Sequence, residues 1–196
     1  MKTSLILAGF LVVACAGQAA RATVMVQLDL RQLVGRADVI FVGTVLKTHS
    51  HWTEDRRHIV TDTTFQVGQP LRGSTTGKTV VVRNLGGAVG EIGMRVSGAP
   101  SFNQGARVVL FTEQRGPDRF VVGMRQGVYE VASDSAGRAT VRADLSGLAL
   151  ARKGPDGSIK LVRRPATTPL PLGDFVARIK QTIATCDTEA DRCRRP

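Results

Sequence analysis

The sequence predicts a mostly β protein: a small antiparallel barrel with a short N-terminal helix and a C-terminal helix. Strand-like segments recur at intervals of roughly 10–15 residues with turn signals between them, which is typical of barrels and sandwiches. Long helical crossovers, which a parallel sheet needs, are missing. The 196 residues suit one domain, and 42% of them are hydrophobic, a globular value that excludes a disordered chain.

The chain divides into four predicted segments. A signal peptide covers residues 1–22, the β-barrel domain 23–150, a Pro- and Arg-bearing linker 151–171, and the C-terminal helix and tail 172–196. In the first segment, Lys2 precedes an apolar run and several small residues, the plan of a secretory signal. Ala20-Arg21-Ala22 fits ordinary cleavage before Thr23, which we favour. Alternatively, Val12-Val13-Ala14-Cys15 resembles a lipobox, in which a lipidated Cys15 would anchor the protein to the envelope.

The signal segment predicts that the protein is exported, either to the periplasm or out of the cell. The apolar run is shorter than the roughly 20 residues that cross a bilayer, and no later segment is long enough, so we expect no transmembrane span. Cleavage removes Lys2, Arg21 and no acid, which leaves a net charge of +9, two less than the +11 of the whole chain. Export and the lack of interleaved aromatic residues argue against a nucleic-acid partner.

The helices and strands are predicted one by one along the chain from the spacing of apolar residues. A strand at 23–30 is followed by a helix at 30–37 with Leu30, Leu33, Val34 and Ala37 on one face. The predicted strands then run as 38–47, 59–67, 78–83, 107–112, 119–124, 127–132 and 139–143. Gly43 predicts a bend or bulge within the first of these seven. A final helix at 172–184 carries an apolar stripe that we expect to pack on the barrel: Phe175, Val176, Ile179 and Ile183.

Two cysteines remain after the signal segment, Cys186 and Cys193. They are too few for a zinc site and do not have the spacing of a redox pair. In an oxidising compartment a disulfide is the default for such a pair. The spacing therefore predicts a structural disulfide near the C-terminus.

Two stretches of the sequence resemble a known family. They are the segment Ala37-Asp38-Val39-Ile40-Phe41-Val42-Gly43-Thr44-Val45 and the end of the second strand at Val67-Gly68-Gln69-Pro70-Leu71-Arg72-Gly73. Together they resemble the opening of netrin-like domains. That family includes the tissue inhibitors of metalloproteinases. The resemblance covers Ala37–Gly73 and implies an OB-type barrel of five strands. The chain is also similar to a group of exported bacterial proteins with no assigned activity, and that likeness extends to Gly86-Gly87, residues 107–111, 123–127 and 145–148.

The resemblance carries the fold and not the inhibitory activity. Those inhibitors coordinate the protease zinc through an N-terminal cysteine, whereas this chain has no cysteine between Cys15 and Cys186. By analogy alone, an extracellular protease is one conceivable protein partner.

All three histidines lie in one short segment, at His49, His51 and His58. His49 and His51 would share a strand face, and a hairpin could bring His58 opposite. Imidazoles suit Zn²⁺ or Cu²⁺, which makes a periplasmic metal-binding protein an alternative function. A solvated hairpin loop explains the same residues, and Arg56 and Arg57 oppose a cation there.

The preferred function is a non-enzymatic, exported domain that binds a protein through loops at the end of the barrel, without a cofactor. The sequence shows no nucleophile elbow and no zinc-protease motif. The connection Gly86–Gly105 is long for a compact barrel, as binding loops often are, although an extra hairpin with Glu91–Val96 pairing back on the barrel explains it equally well. The candidate binding residues are Trp52, Glu54, Ile92, Met94 and Phe102.

Overall fold

The computed structural model describes residues 23–73, 75, 78–145, 148–154, 156–162, 168–189 and 193. The predicted signal peptide, with Cys15 and its lipobox, lies outside the described residues. The strands are β1 Thr23–Val26, β2 Val39–Trp52, β3 Ile59–Arg72, β4 Thr79–Leu85, β5 Gly87–Val89, β6 Ile92–Met94, β7 Arg107–Arg115, β8 Asp118–Val121, β9 Val128–Ser133, β10 Ala139–Ala143, β11 Leu148–Lys153, β12 Ile159–Val162 and β13 Leu170–Pro171. The helices are α1 Leu30–Arg36 and α2 Leu172–Thr188, and a 3-10 turn covers Met124–Gly127. The predicted mostly β class with two helices is confirmed.

One large antiparallel sheet forms the body of the molecule, in the order β13-β10-β9-β7-β2-β3-β4, with β8 paired to β7. The long β2–β3 hairpin dominates it, and its register shifts at three places, one of them between Val42 and Gly43. A β-carbon on Gly43 would lie 2.7 Å from the Phe41 ring, so the bulge needs a glycine. Bulges of this kind bend a strand and increase its twist, which curls the sheet.

The curl brings β4 beside β8. Arg83 of β4 donates to Asp118 of β8 at 2.8 Å, so side chains join the two strands. Among the described residues no strand pairing links β4 to β8, and the backbone ladder of the expected barrel is therefore open there. The concave side encloses an apolar core from β2, β3, β4, β7, β8 and the start of β9, in which Phe41 and Phe65 meet edge to face with ring centroids 5.8 Å apart.

The two helices cover the opposite face of β2 and β7. Residues alternate along a strand, so Ile40 and Val42 point away from Phe41 and join a second core under α1 and α2. Asp29 caps α1 by accepting a hydrogen bond from the backbone N–H of Gln32 at 2.8 Å, in a reciprocal capping box. The predicted stripe of α2 faces this core, and the predicted packing of that helix on the sheet is confirmed.

The C-terminal cysteines belong to this second core. Cys186 and Cys193 form a disulfide with a Cα–Cα distance of 5.7 Å, and both are buried. Cys193 lies against α1 so closely that a β-carbon on Gly35 would be 2.5 Å from its carbonyl oxygen. The disulfide therefore holds Cys193 against the first helix.

The segment expected to be a linker, 151–171, contains the end of β11, all of β12 and β13. β1 pairs in parallel with β11, which pairs with β12, and these three strands form a separate small sheet. Ile159 and Leu161 of β12 are exposed, so the alternation of buried and exposed residues that would have revealed a strand there is weak. Neither described helix is long and apolar enough to cross a membrane.

Candidate binding site

The long connection Gly86–Gly105 begins as a hairpin of its own. β5 pairs with β6, with Ala88 opposite Gly93, and this two-stranded sheet is separate from the large one. The expected hairpin therefore exists, but within the described residues Ile92–Met94 pairs with β5 and not with the large sheet. The rest of the connection continues across the end of the curled sheet as an irregular loop.

Two glycines allow this connection to pass directly over the β2–β3 hairpin. The N–H of Gly86 donates to the carbonyl oxygen of Ile59 at 2.8 Å, and the Thr61 hydroxyl donates to the carbonyl oxygen of Gly86 at 2.6 Å. Gly87 has a φ of +138°, and a β-carbon there would lie 2.3 Å from Thr61 Oγ1 and 2.5 Å from Ser50 Oγ. Only glycine fits that backbone and that approach.

The second half of the connection is held at two further points. The N–H of Arg125, in the 3-10 turn, donates to the carbonyl oxygen of Gly98 at 3.1 Å. Phe102 packs edge to face on Phe65 of the inner core, with ring centroids 5.0 Å apart. The loop is thus fixed to the sheet at both ends.

A pocket of about 810 Å³ lies between this connection and the strands beneath it. The strands contribute Thr48 from β2, Thr61 and Thr63 from β3, and Asn84 from β4. Residues 85–88 and 93–102, with Arg125, form the rest of the wall. Its volume is in the range typical of ligand sites, about 300–1,000 Å³.

The wall contributed by the strands is polar because the inner face of the sheet changes character along β3. Thr61, Thr63 and Phe65 alternate onto the same face, so the apolar core at Phe65 gives way to hydroxyls at the end covered by the loop. Across the strands, Thr63 pairs with Thr48 and Val82, and Thr61 pairs with Asn84. The pocket is therefore the polar end of the interior.

Thr63 has an unusual environment within this wall. The residue is 1% exposed, and its Oγ1 has no hydrogen-bond partner among the described residues. Asn84 is also buried, at 6% exposure. A buried hydroxyl without a partner costs about 1–3 kcal/mol, so its presence needs an explanation in native proteins.

The charged groups around the pocket are basic. Arg95 and Arg125 border it, and the described lining contains no aspartate or glutamate. Arg125 donates to Asp144 at 2.6 Å, which partly neutralises it. Arg95 is exposed and forms no ion pair within the described part of the chain. The pocket is electropositive as a result.

The five candidate binding residues fall into two groups. Met94 and Phe102 line the pocket. Ile92 is 56% exposed on β6, two residues before Met94, and is not part of the lining. Trp52 is half-buried at the end of β2 and Glu54 is exposed in the following turn, and both also lie outside the lining.

Sequence reasoning missed the polar side of the pocket. Thr48, Thr61, Thr63, Asn84 and Arg95 were not among the candidates, although they define its chemistry. The available signal was the pair of threonines on the same face of β3 as Phe65, since polar residues on an inward face mark a place where the core ends.

The three histidines are not brought together. The rings of His49 and His51 stack with centroids 5.6 Å apart on one strand face, as expected. The register places His51 opposite Val60, so His58 lies beyond it, where its carbonyl oxygen accepts from the N–H of Thr53. The described residues hold no group of three or more His, Cys, Asp or Glu side chains that could bind a metal ion. The expected convergence of His58 on the other two is wrong, because the turn places it past the end of the ladder.

His51 belongs instead to a chain of ion pairs across the strands. Its Nε2 lies 3.0 Å from Asp62 Oδ2, and the hydrogen bond to Asp62 is the main reason that the pKa of His51 is raised. Arg83 donates twice to Asp62 at 2.7 Å and once to Asp118 at 2.8 Å. The bonds from Arg83 hold the pKa of Asp62 below its ordinary value. This chain of charges ties β2, β3, β4 and β8 together.

No protein-family model matches this sequence, and a search of curated proteins gives no match.

Proposed function

We propose that this protein is an exported, non-enzymatic binding domain that captures a protein partner at the end of its curled sheet covered by Gly86–Gly105. The observation that carries the proposal is the pocket of about 810 Å³ between that connection and the strands. Its lining combines apolar side chains with a few hydroxyl, amide and guanidinium groups, which is the usual composition of a binding pocket.

The connection is built to present a surface. It is anchored at Gly86 and at Gly98, while Ile92 between these points is an exposed apolar residue beside the pocket. Loops fixed to a rigid scaffold are common binding elements, because the scaffold lowers the entropy that is lost on binding. Pocket and hairpin tip together form the proposed contact surface.

Export is supported by the character of residues 1–22 and by the disulfide. The Cys186–Cys193 bond is of the kind that persists in oxidising compartments such as the periplasm. The curl of β2, β3, β4, β8 and β7 around one core, to which β9 adds Val128, supports the OB-type, netrin-like expectation for the architecture. An intact mass that places the N-terminus at Thr23 without an acyl chain tests ordinary cleavage against the lipoprotein alternative.

Site-specific photo-crosslinking tests the binding proposal. A benzophenone amino acid is placed at Ile92, and at Gln181 on the exposed side of α2 as the control. We expect a discrete adduct from the exported protein at Ile92, reduced in a Met94→Ala background and absent at Gln181. Mass spectrometry of the adduct then decides whether the partner is a protease. The lack of an adduct at Ile92, or equal adducts at both positions, would contradict the proposal.

A further inference from the structure

We infer that the pocket accepts one carboxylate group presented by an exposed peptide segment of the partner, either an Asp or Glu side chain or a free C-terminus. This inference rests on the proposed function and gives it a ligand chemistry. Three features of the pocket support it: its charge, its unused hydrogen-bonding groups and its apolar wall.

The charge argument starts from Arg95. This guanidinium borders the pocket, forms no ion pair within the described residues, and meets no acidic residue in the lining. Arginine pairs well with carboxylates because its planar fork matches their geometry. The net charge, +9 after the predicted cleavage, adds a long-range attraction for acidic segments.

The hydrogen-bond argument starts from Thr63. Its hydroxyl is buried in the pocket wall without a described partner, and Asn84, two residues beyond its cross-strand neighbour Val82, is also buried there. A carboxylate has two oxygens that only accept hydrogen bonds, so one can accept from the Asn84 amide and the other from the Thr63 hydroxyl once that side chain, which is closed to solvent here, turns toward the ligand. Such bonds to a charged acceptor are stronger than neutral ones.

The apolar wall explains why the carboxylate should belong to a peptide. Met94, Val96 and Phe102 line the same pocket, and they can contact the aliphatic part of a side chain or its neighbours. A phosphate group carries more charge and is usually held by several cations or a row of backbone N–H groups. One guanidinium without an ion pair, two neutral donors and an apolar wall match a single negative charge better.

Peptide display tests the inference on the exported protein. Random eight-residue segments are shown in two formats, one with a free C-terminus and one with the segment internal. Enriched peptides are synthesised and titrated by fluorescence anisotropy against wild type. We expect Asp or Glu in the enriched internal segments if the side chain is recognised, and enrichment in the free format alone if the C-terminus is recognised. Replacement of that acid by its amide should weaken binding by about tenfold or more.

Variants connect this recognition to the pocket. Thr63→Val and Arg95→Gln should each weaken the binding of an acidic peptide by about tenfold, while Thr63→Ser should retain most of the affinity. Arg95→Lys keeps the charge but loses the planar fork, so its affinity should fall between those of wild type and Arg95→Gln. Arg142→Gln on β10 is the matched control, since it removes the same charge from an exposed site outside this pocket. Neutral peptides that bind and depend on Met94 would overturn the inference and leave the proposed function standing. No enrichment in either format, together with no adduct at Ile92, would overturn both.

Discussion

Replacing Thr63 by valine tests whether the polar end of the interior is kept at a cost in stability. The hydroxyl is buried and has no partner among the described residues. Such a group destabilises the folded state by about 1–3 kcal/mol. Valine occupies nearly the same space and keeps the branched side chain that strands favour. We therefore expect Thr63→Val to raise the free energy of unfolding by about 1 kcal/mol.

Thr61 provides the matched control on the same face of the same strand. Its hydroxyl donates to the carbonyl oxygen of Gly86 at 2.6 Å and lies 2.8 Å from the hydroxyl of Ser50. Thr61→Val removes the same atom but breaks these bonds, so we expect the free energy of unfolding to fall by about 1–2 kcal/mol. If the same chemical change raises the free energy of unfolding at Thr63 and lowers it at Thr61, the difference between the two sites is due to hydrogen bonding.

Urea unfolding, followed through the fluorescence of the single tryptophan, Trp52, measures both effects. The midpoint should move while the slope of the transition stays constant, since neither change alters the surface exposed on unfolding. For a chain of this size 1 kcal/mol corresponds to about 2–4 °C in Tm. If Thr63→Val destabilises the protein as much as Thr61→Val does, the Thr63 hydroxyl is hydrogen-bonded in solution. The carboxylate inference would then lose its principal donor.

Four further substitutions test the close approach of the loop, the strand closure and the pH dependence. Gly87→Ala should lower the free energy of unfolding by about 2 kcal/mol or more, because its φ is +138°, and an unchanged urea midpoint would contradict the close approach. Arg83→Met should cost about 2 kcal/mol by the same assay, and Asp118→Asn less than half of that, because the two bonds from Arg83 to Asp62 remain. The pKa of His51 is raised above its ordinary value of 6.5, so the stabilisation from its protonated form is complete below that pH and is lost as the pH rises through the folded pKa. The advantage of wild type over His51→Gln should therefore shrink as the pH rises above about 6.5, and a constant difference would show that His51 does not titrate against Asp62.

The local sequence pattern is sufficient to predict those elements in which buried residues recur with the period of a helix or of a strand. The two helices and the seven strands predicted from residue 38 onward all exist, because in each the apolar positions repeat as a helix or a strand requires. β12 is not predicted from the sequence, since its Ile159 and Leu161 are exposed and a polar, Pro-bearing stretch surrounds them. β11 is not predicted either, although its Leu148, Leu150 and Ala151 are buried. Pairing of β11 with β1 supplies the hydrogen bonds there, and that contact is far apart in the sequence.

The sequence by itself determined the mostly β class, the two amphipathic helices and the cysteine pair, because each depends on residue types at fixed local spacings. Only the tertiary structure decided which polar residues share a pocket. Thr63, Asn84 and Arg95 come from three different segments, and they converge because bulges curl the sheet and glycines let the loop cross its end. The folded structure also keeps His58 away from His51, because the turn between β2 and β3 sets the register of that hairpin and places His58 beyond the end of its ladder.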